Sequence, residues 1–300
     1  MRGRGVIAKL VVAGFAVALL VVSTDSPRPA TAAVAPARWA QTTSSMMIGG
    51  RQRTYLTVRP ATPSRARLPV LVVLHGRTMN PAQTEAMTGF APVVGPAITV
   101  FPAGYRDSWN AGACCGEAHA AGIDDVAFIK GLVHHVLATE PDASASHVYL
   151  AGYSNGGRMA LRLACAAPDL FAGVAAVEAV SVYSCPHPRP VSLLAVASRD
   201  DPLLAVDASR PERVVNGFHE PTVEAMVAGW RQVGACANAA STTVSGTLTE
   251  RHWSGCRSNT RLAYALYDGG SHAWPSGDAQ TPSAEQVIWT FFRGPGADVT

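Results

Sequence analysis

The sequence predicts an α/β fold, with a mostly parallel central sheet and helices on both faces. Three observations carry that expectation. Residues 68–74, 147–151, 171–177, 191–197 and 262–267 are short and largely apolar, the pattern of strands buried on both faces. Stretches with helical periodicity alternate with them, at 124–138, 157–164, 223–233 and 283–292. That alternation argues for parallel strands joined by crossover helices. Finally, Gly152-Tyr153-Ser154-Asn155-Gly156 stands where a strand gives way to a helix, with two glycines bracketing a serine.

The elements follow in order. Residues 46–58 read as a β-hairpin around Gly49-Gly50. Leu68–Leu74 is a buried strand ending in His75-Gly76. Residues 81–90 open with a proline suited to a helix N-terminus. Residues 97–101 are a short strand, and 102–122 a long loop rich in glycine, alanine and cysteine. Asp124 and Asp125 sit where a helix N-terminus favours acids. A Thr/Ser-rich stretch between Cys236 and Cys256 reads as a second hairpin. There is no internal repeat and no second domain, so residues 43–293 are expected to form one unit, with a tail at 294–300.

The first residues read differently. Arg2, Arg4 and Lys9 precede 13 apolar residues, Leu10 to Val22, and Ala30-Thr31-Ala32 follows a polar stretch. This is the pattern of a secretory signal peptide over residues 1–32, cleaved near Ala32. The apolar run is shorter than the roughly 20 residues of a spanning helix, so no stable membrane association is expected after cleavage. Residues 33–42 are Ala/Pro-rich and read as a disordered linker. The chain has 24 basic and 21 acidic residues, but the leader holds four of the bases and one of the acids. The remainder is balanced, and nothing points to nucleic acid.

Six cysteines suit an oxidising destination. Cys236 and Cys256 flank the Thr/Ser-rich hairpin and are expected to pair. Adjacent Cys114 and Cys115 bond each other only with backbone strain, so one or both are expected to pair with Cys165 or Cys185. No zinc spacing is present.

Gly-x-Ser-x-Gly between strand and helix is the context of a nucleophile elbow, and it marks Ser154 as a candidate nucleophile. A serine needs a base, and the base an orienting acid, each on a loop after a later strand. After residues 191–197 come Asp200 and Asp201. Asp201 precedes Pro202 and is favoured, with Asp200 second and Asp207 third. After Leu262–Tyr267, Gly269-Gly270 lets the chain turn toward His272, the candidate base among nine histidines. His75 is its rival, although His-Gly after a buried strand more often shapes an oxyanion loop. The backbone N–H groups of Asn155 and Arg77 are the candidate oxyanion donors. Trp109 and Trp274 are candidate platforms for a flat substrate, with buried packing the alternative.

Six segments occur in order: Leu74-His75-Gly76, the run from Trp109 to Gly116 with its Cys-Cys-Gly, Asp124-Asp125-Val126, Gly152 to Gly157, Asp201-Pro202, and His272-Ala273-Trp274-Pro275. Together, over roughly residues 45 to 293, they resemble the secreted esterase family of polyhydroxybutyrate depolymerases, feruloyl esterases and acetylxylan esterases, carbohydrate esterase family one. The resemblance implies the α/β-hydrolase fold and a triad of Ser154, Asp201 and His272, with no cofactor and no metal. The chain departs from the family at Ala197 to Pro202, where the usual pattern is His-Gly-Thr-Ala-Asp-Pro, and in the loop after Gly76. The expected activity is serine esterase chemistry on feruloyl or acetyl polysaccharide esters or polyhydroxyalkanoate-type esters, from small molecule to polymer. An acyltransferase would use the same residues, and a non-catalytic binding module would lack part of the triad. Oligomeric state is left open.

Overall fold

The structure, a computed structural model, describes residues 38–62 and 64–294. The expected leader with its cleavage site, the first half of the expected linker and the tail beyond Gly294 lie outside the described residues. In chain order the strands are β1 (Trp39–Ile48), β2 (Arg51–Pro60), β3 (Leu68–Leu74), β4 (Ile98–Pro102), β5 (Ala143–Tyr153), β6 (Gly173–Val177), β7 (Leu193–Ser198), β8 (Arg213–Val215), β9 (Phe218–Glu220), β10 (Ser241–Ser245), β11 (Leu248–Trp253) and β12 (Leu262–Tyr267). The helices are α1 (Pro81–Thr88), α2 (Phe90–Val94), α3 (Gly116–Ala120), α4 (Asp125–Thr139), α5 (Asn155–Ala166), α6 (Val223–Gly234) and α7 (Ala284–Arg293).

Ten strands form one sheet in the order β1-β2-β4-β3-β5-β6-β7-β12-β11-β10, and β8-β9 form a separate hairpin. The six central strands, β4 to β12, are parallel. An antiparallel pair extends each edge. The parallel centre explains the continuous apolar runs, because its strands have no solvated face. Along β3, Val70, Val72 and Leu74 join one core, while Leu71 and Val73 join the other. The first core takes Phe128 and Leu132 of α4, Met159 and Leu163 of α5, and Val227 of α6. The second takes Phe90 of α2 and Ile288, Trp289 and Phe292 of α7. Each fully buried side chain of this size contributes about 1.5–3 kcal/mol. Among the described residues, no helix is long and apolar enough to cross a membrane.

Three expectations need correction. The linker does not extend to residue 42, because β1 starts at Trp39 and pairs with β2 from Trp39↔Pro60 to Ile48↔Arg51. Its first half is polar and exposed, so backbone pairing holds it and no apolar alternation announces it. The loop at 102–122 contains the short helix α3. The cysteine pairing also differs: Cys114 bonds Cys115, and Cys165 bonds Cys185, with Cα atoms 5.8 Å apart in the second pair. The reason is distance. Cys165 lies in the last turn of α5, about 15 Å along the axis from its N-terminus, whereas Cys114 and Cys115 line the pocket at that N-terminus together with Ser154. Cys236 and Cys256 pair as expected, flanking the β10–β11 hairpin.

Candidate active site

Parallel strands deliver their C-terminal ends to one edge of the sheet, where sites of this architecture form. Five loops meet there, after β3, β5, β6, β7 and β12. Ser154 sits between β5 and α5 at φ 53° and ψ −116°, a strained conformation for a residue with a Cβ. The flanking glycines make the turn possible. A Cβ on Gly152 would meet the carbonyl of Gly156, and one on Gly156 would meet the carbonyls of Leu74 and His75. The Ser154 N–H donates to Val177 at 2.8 Å, fixing the turn to β6.

The structure brings three of the expected residues together. Ser154 Oγ lies 2.7 Å from His272 Nε2. His272 Nδ1 lies 2.6 Å from Asp201 Oδ2. Since Asp201 accepts, Nδ1 carries the proton, which leaves Nε2 free to accept from the serine. Asp201 is buried, and its other oxygen accepts the Leu203 N–H at 2.6 Å. Burial opposes its charge, but the bonds from His272, Glu178 and Leu203 outweigh it and hold the carboxyl below the usual aspartate range. Asp200 points away, with its carboxylate 3.8 Å from Arg210, and Asp207 binds the Ser209 N–H. Arg199 is turned out to Asp268 at 2.7 Å, clear of the acid.

His75 is not a second base. Its Nε2 accepts the Gly104 N–H at 2.8 Å, so the proton is on Nδ1, 2.7 Å from the Gly76 carbonyl. Burial pushes its pKa down. Trp109 and Trp274 are not platforms either: both are buried. The Trp109 indole donates to the His75 carbonyl at 3.0 Å, and that of Trp274 to Glu285 at 2.9 Å. Each ring therefore braces a loop from behind. The Asn155 side chain does the same, exchanging hydrogen bonds with the N–H and C=O of Trp109 at 2.8 and 3.0 Å. That leaves the Asn155 backbone N–H, the first of α5, without an intrahelical acceptor. Arg77, one residue past Gly76, lines the same pocket.

Ser154, Asn155, His272, Arg77, Cys114, Cys115 and Gly116 line a cavity of about 370 Å³, together with Leu203, Arg213, Val215 and Asn216. A larger groove of about 610 Å³ includes Ser64 and Arg67, but no histidine lines it.

Several functional neighbours escape the sequence reading. Arg158, one turn beyond Ser154 on α5, lines the pocket and pairs with buried Glu220 at 2.5 Å. Its i+4 spacing from Ser154 is the signal that could have found it. Tyr153 donates its hydroxyl to the His272 carbonyl at 2.8 Å. Glu178 follows β6 directly, at φ 48°. Its Oε1 accepts the Ser198 hydroxyl at 2.6 Å, and its buried Oε2 meets no donor. Burial, and then the hydrogen bond to Asp201, push its carboxyl up to about 9. Glu178, Asp201 and His272 place their donor atoms within 4.8 Å of one another, close enough to hold a cation. Both ring nitrogens of His272 and one oxygen of Glu178 are already engaged, so the cluster fits a proton-bonded network better.

A serine hydroxyl, an imidazole and a buried carboxylate in hydrogen-bond succession are an arrangement capable of ester chemistry, and the family comparison points to esterases. Residues 53–249 match the model of the family described as "Esterase PHB depolymerase". The chain belongs to that family. This esterase is 29% identical over 263 residues to "Putative esterase NocK" of Nocardia uniformis subsp. tsuyamanensis, covering 79% of this chain and 74% of the relative. It is 24% identical over 227 residues to "Feruloyl esterase B" of Piromyces equi, covering 68% of this chain but only 39% of that longer protein. Among solved structures, an acetyl xylan esterase from Aspergillus awamori superposes with a TM-score of 0.58 at 13% identity, over 77% of this chain and 94% of that one. At that identity the likeness speaks to the fold, the α/β-hydrolase type expected from the sequence.

Proposed function

We propose that this esterase is a secreted serine hydrolase that cleaves carboxylic esters through an acyl-enzyme. Ser154 attacks the ester carbonyl while His272 Nε2 takes its proton. Asp201 holds the imidazole in the tautomer that leaves Nε2 free and stabilises the imidazolium. The N–H groups of Asn155 and Arg77 receive the oxyanion. Collapse expels the alcohol, protonated by His272, and water then releases the acid by the same steps in reverse. The observation that carries this reading is the succession Ser154 Oγ to His272 Nε2 at 2.7 Å and His272 Nδ1 to Asp201 at 2.6 Å. The leader motif and the three disulfides support secretion. The substrate class is feruloyl or acetyl polysaccharide esters or polyhydroxyalkanoate-type esters.

The test is Ser154→Ala against 4-nitrophenyl acetate, with an expected loss of about 10⁴-fold or more in kcat. Near-normal turnover by a folded variant would remove the scheme. A panel of methyl ferulate, acetylated xylan and hydroxybutyrate oligomers ranks the substrates. An added alcohol acceptor, with product analysis, distinguishes hydrolysis from acyl transfer.

A further inference from the structure

The pocket at Ser154 is lined by three arginines, Arg77, Arg158 and Arg213, and by no carboxylate. One acid stands behind them. Glu220 takes Arg158 on one oxygen at 2.5 Å and Arg213 on the other at 3.2 Å. Its side chain is only 2% exposed, so it compensates the arginines from behind and turns no negative face to the cavity. Asp201, the other ionised acid nearby, is buried under His272. The three guanidiniums thus exceed the two buried carboxylates by one charge. Arg77 is the cation left over. Among the described residues its side chain has no ion pair, hydrogen bond or ring contact. Its stem lies against Gly116, where a Cβ would stand 3.6 Å from Arg77 Cδ. The remaining walls are mostly apolar, with Leu203, Val215 and the bonded pair Cys114–Cys115 beside the polar Asn216.

An unpartnered guanidinium beside the nucleophile, in a pocket with mostly apolar walls, suits a substrate with an apolar body and an anionic end. We propose that this pocket selects esters that carry a free carboxylate, with Arg77 as the specificity-determining residue that receives it. The proposal rests on the esterase reading above. A guanidinium offers a carboxylate two parallel N–H donors, and Arg77 is exposed, open to an incoming group. The carboxylate can belong to the acyl part, as in a half-ester of a dicarboxylic acid. It can equally belong to the alcohol part, as at the end of a hydroxyacid oligomer. Acetylated or feruloylated neutral sugars lack it, so the proposal favours polyester ends over polysaccharide.

The test compares kcat/KM within two matched pairs. One pair is 4-nitrophenyl hydrogen adipate and its terminal amide, with the charge on the acyl side. The other is 3-acetoxybutyrate and 3-acetoxybutyramide, with the charge on the alcohol side. The wild type should favour the carboxylate member about tenfold in at least one pair. Arg77→Gln should bring that ratio close to one, and Arg77→Lys should restore part of it. Raising salt from about 0.02 M to about 0.5 M should lower the ratio in the wild type. A ratio within one enzyme does not depend on the folded fraction, so a poorly folding variant still answers. Ratios near one in both wild-type pairs, or a preference that survives Arg77→Gln, would overturn the proposal while leaving the esterase reading intact. Failure of the wild type to hydrolyse any of the four esters would overturn both.

Discussion

The carboxyl groups of Glu178 and Asp201 share one buried site, with residue exposures of 1% and 0% and oxygens that, together with a nitrogen of His272, lie within 4.8 Å of each other. Two carboxylates this close in low dielectric do not both ionise. Asp201 is the one kept charged, because His272 and the Leu203 N–H bond to it. The proton therefore rests on Glu178, whose carboxyl is raised by burial and by its hydrogen bond with Asp201. The other groups that sense Glu178 are Ser198 beside it, Tyr153 at the end of β5, and Tyr264 and Tyr267 of β12. Tyr153 is itself pushed up to about 12, beyond the range in which Glu178 titrates.

This arrangement fixes the sign of a pH effect. The Glu178 carboxyl is raised to about 9 in the folded protein, whereas in the unfolded chain it titrates in the ordinary glutamate range near 4.3. Between those values the folded state holds a proton that the unfolded state has lost, so stability falls as pH rises. The contribution is complete below the unfolded value and gone above the folded one. Glu178→Gln keeps a donor for Asp201 and removes the titration. Thermal melts should show the wild type losing more stability between pH 5 and pH 9 than the variant. The alkaline fall in kcat/KM should likewise be smaller in Glu178→Gln. Identical pH profiles for the two proteins would contradict the shared proton.

Tyr153→Phe removes the hydroxyl that holds the His272 carbonyl at 2.8 Å and leaves the ring packed between Gly76 and Trp274. His272 sits in a loop turned by Gly269 and Gly270, both at positive φ. The ring of His272 is held by Asp201 and Ser154, and the Tyr153 hydroxyl holds its backbone. Losing one such bond should cost about 1 kcal/mol of stability. It should lower kcat about tenfold with little change in KM, because the imidazole loses its alignment rather than the pocket its shape. Unchanged kcat would show that the loop holds itself.

The parallel centre of the sheet was legible because burial on both faces writes continuous apolar runs, as at Leu68–Leu74 and Leu262–Tyr267. Ser154, Asp201 and His272 were legible because each lies just past one of those runs. Residues whose importance comes from strand order were not. Nothing in the local sequence marks Glu178, and only the placing of β6 between β5 and β7 sets it beside Asp201. The hairpin β8–β9, which brings Arg213 and Val215 to the pocket, has only three residues in each strand, too few for periodicity to show. Its turn was readable: Asn216 and Gly217, both at positive φ, join Val215 to Phe218 in the two-residue loop that Asn-Gly favours. Trp109 and Trp274 were misread because an aromatic residue in a loop gives no sign of its burial. What settles them is the indole N–H, which in each case has a partner inside the protein.

Asp201→Asn and Asp200→Asn test the choice between adjacent acids. The amide at 201 would turn a donor toward His272 Nδ1 and favour the wrong tautomer, so kcat should fall about 10³- to 10⁴-fold. The side chain of Asp200 is 64% exposed and 3.8 Å from Arg210. An exposed pair of that kind contributes about 1 kcal/mol at most, so Asp200→Asn should keep activity within about threefold. A crippled Asp200→Asn enzyme would displace Asp201 from the role assigned to it.

The disulfides give a prediction that does not depend on catalysis. Cys165–Cys185 and Cys236–Cys256 each close a loop with a sequence separation of 20. In the chain-entropy account, closing a loop of that length stabilises the folded state by about 3 kcal/mol. Cys114–Cys115 joins neighbours and closes almost no loop, so on the same account it contributes little. Replacing both members of a pair with serine should therefore lower the denaturation midpoint clearly for 165/185 and for 236/256. For 114/115 the midpoint should hardly move. The last pair lines the pocket with Ser154, so its removal should appear instead as a change in KM. Non-reducing peptide mapping checks the connectivity first, and a peptide linking Cys114 or Cys115 to Cys165 or Cys185 would reverse the assignment. With the connectivity established, comparable losses of stability from all three double variants would show that loop closure is not what these bonds supply.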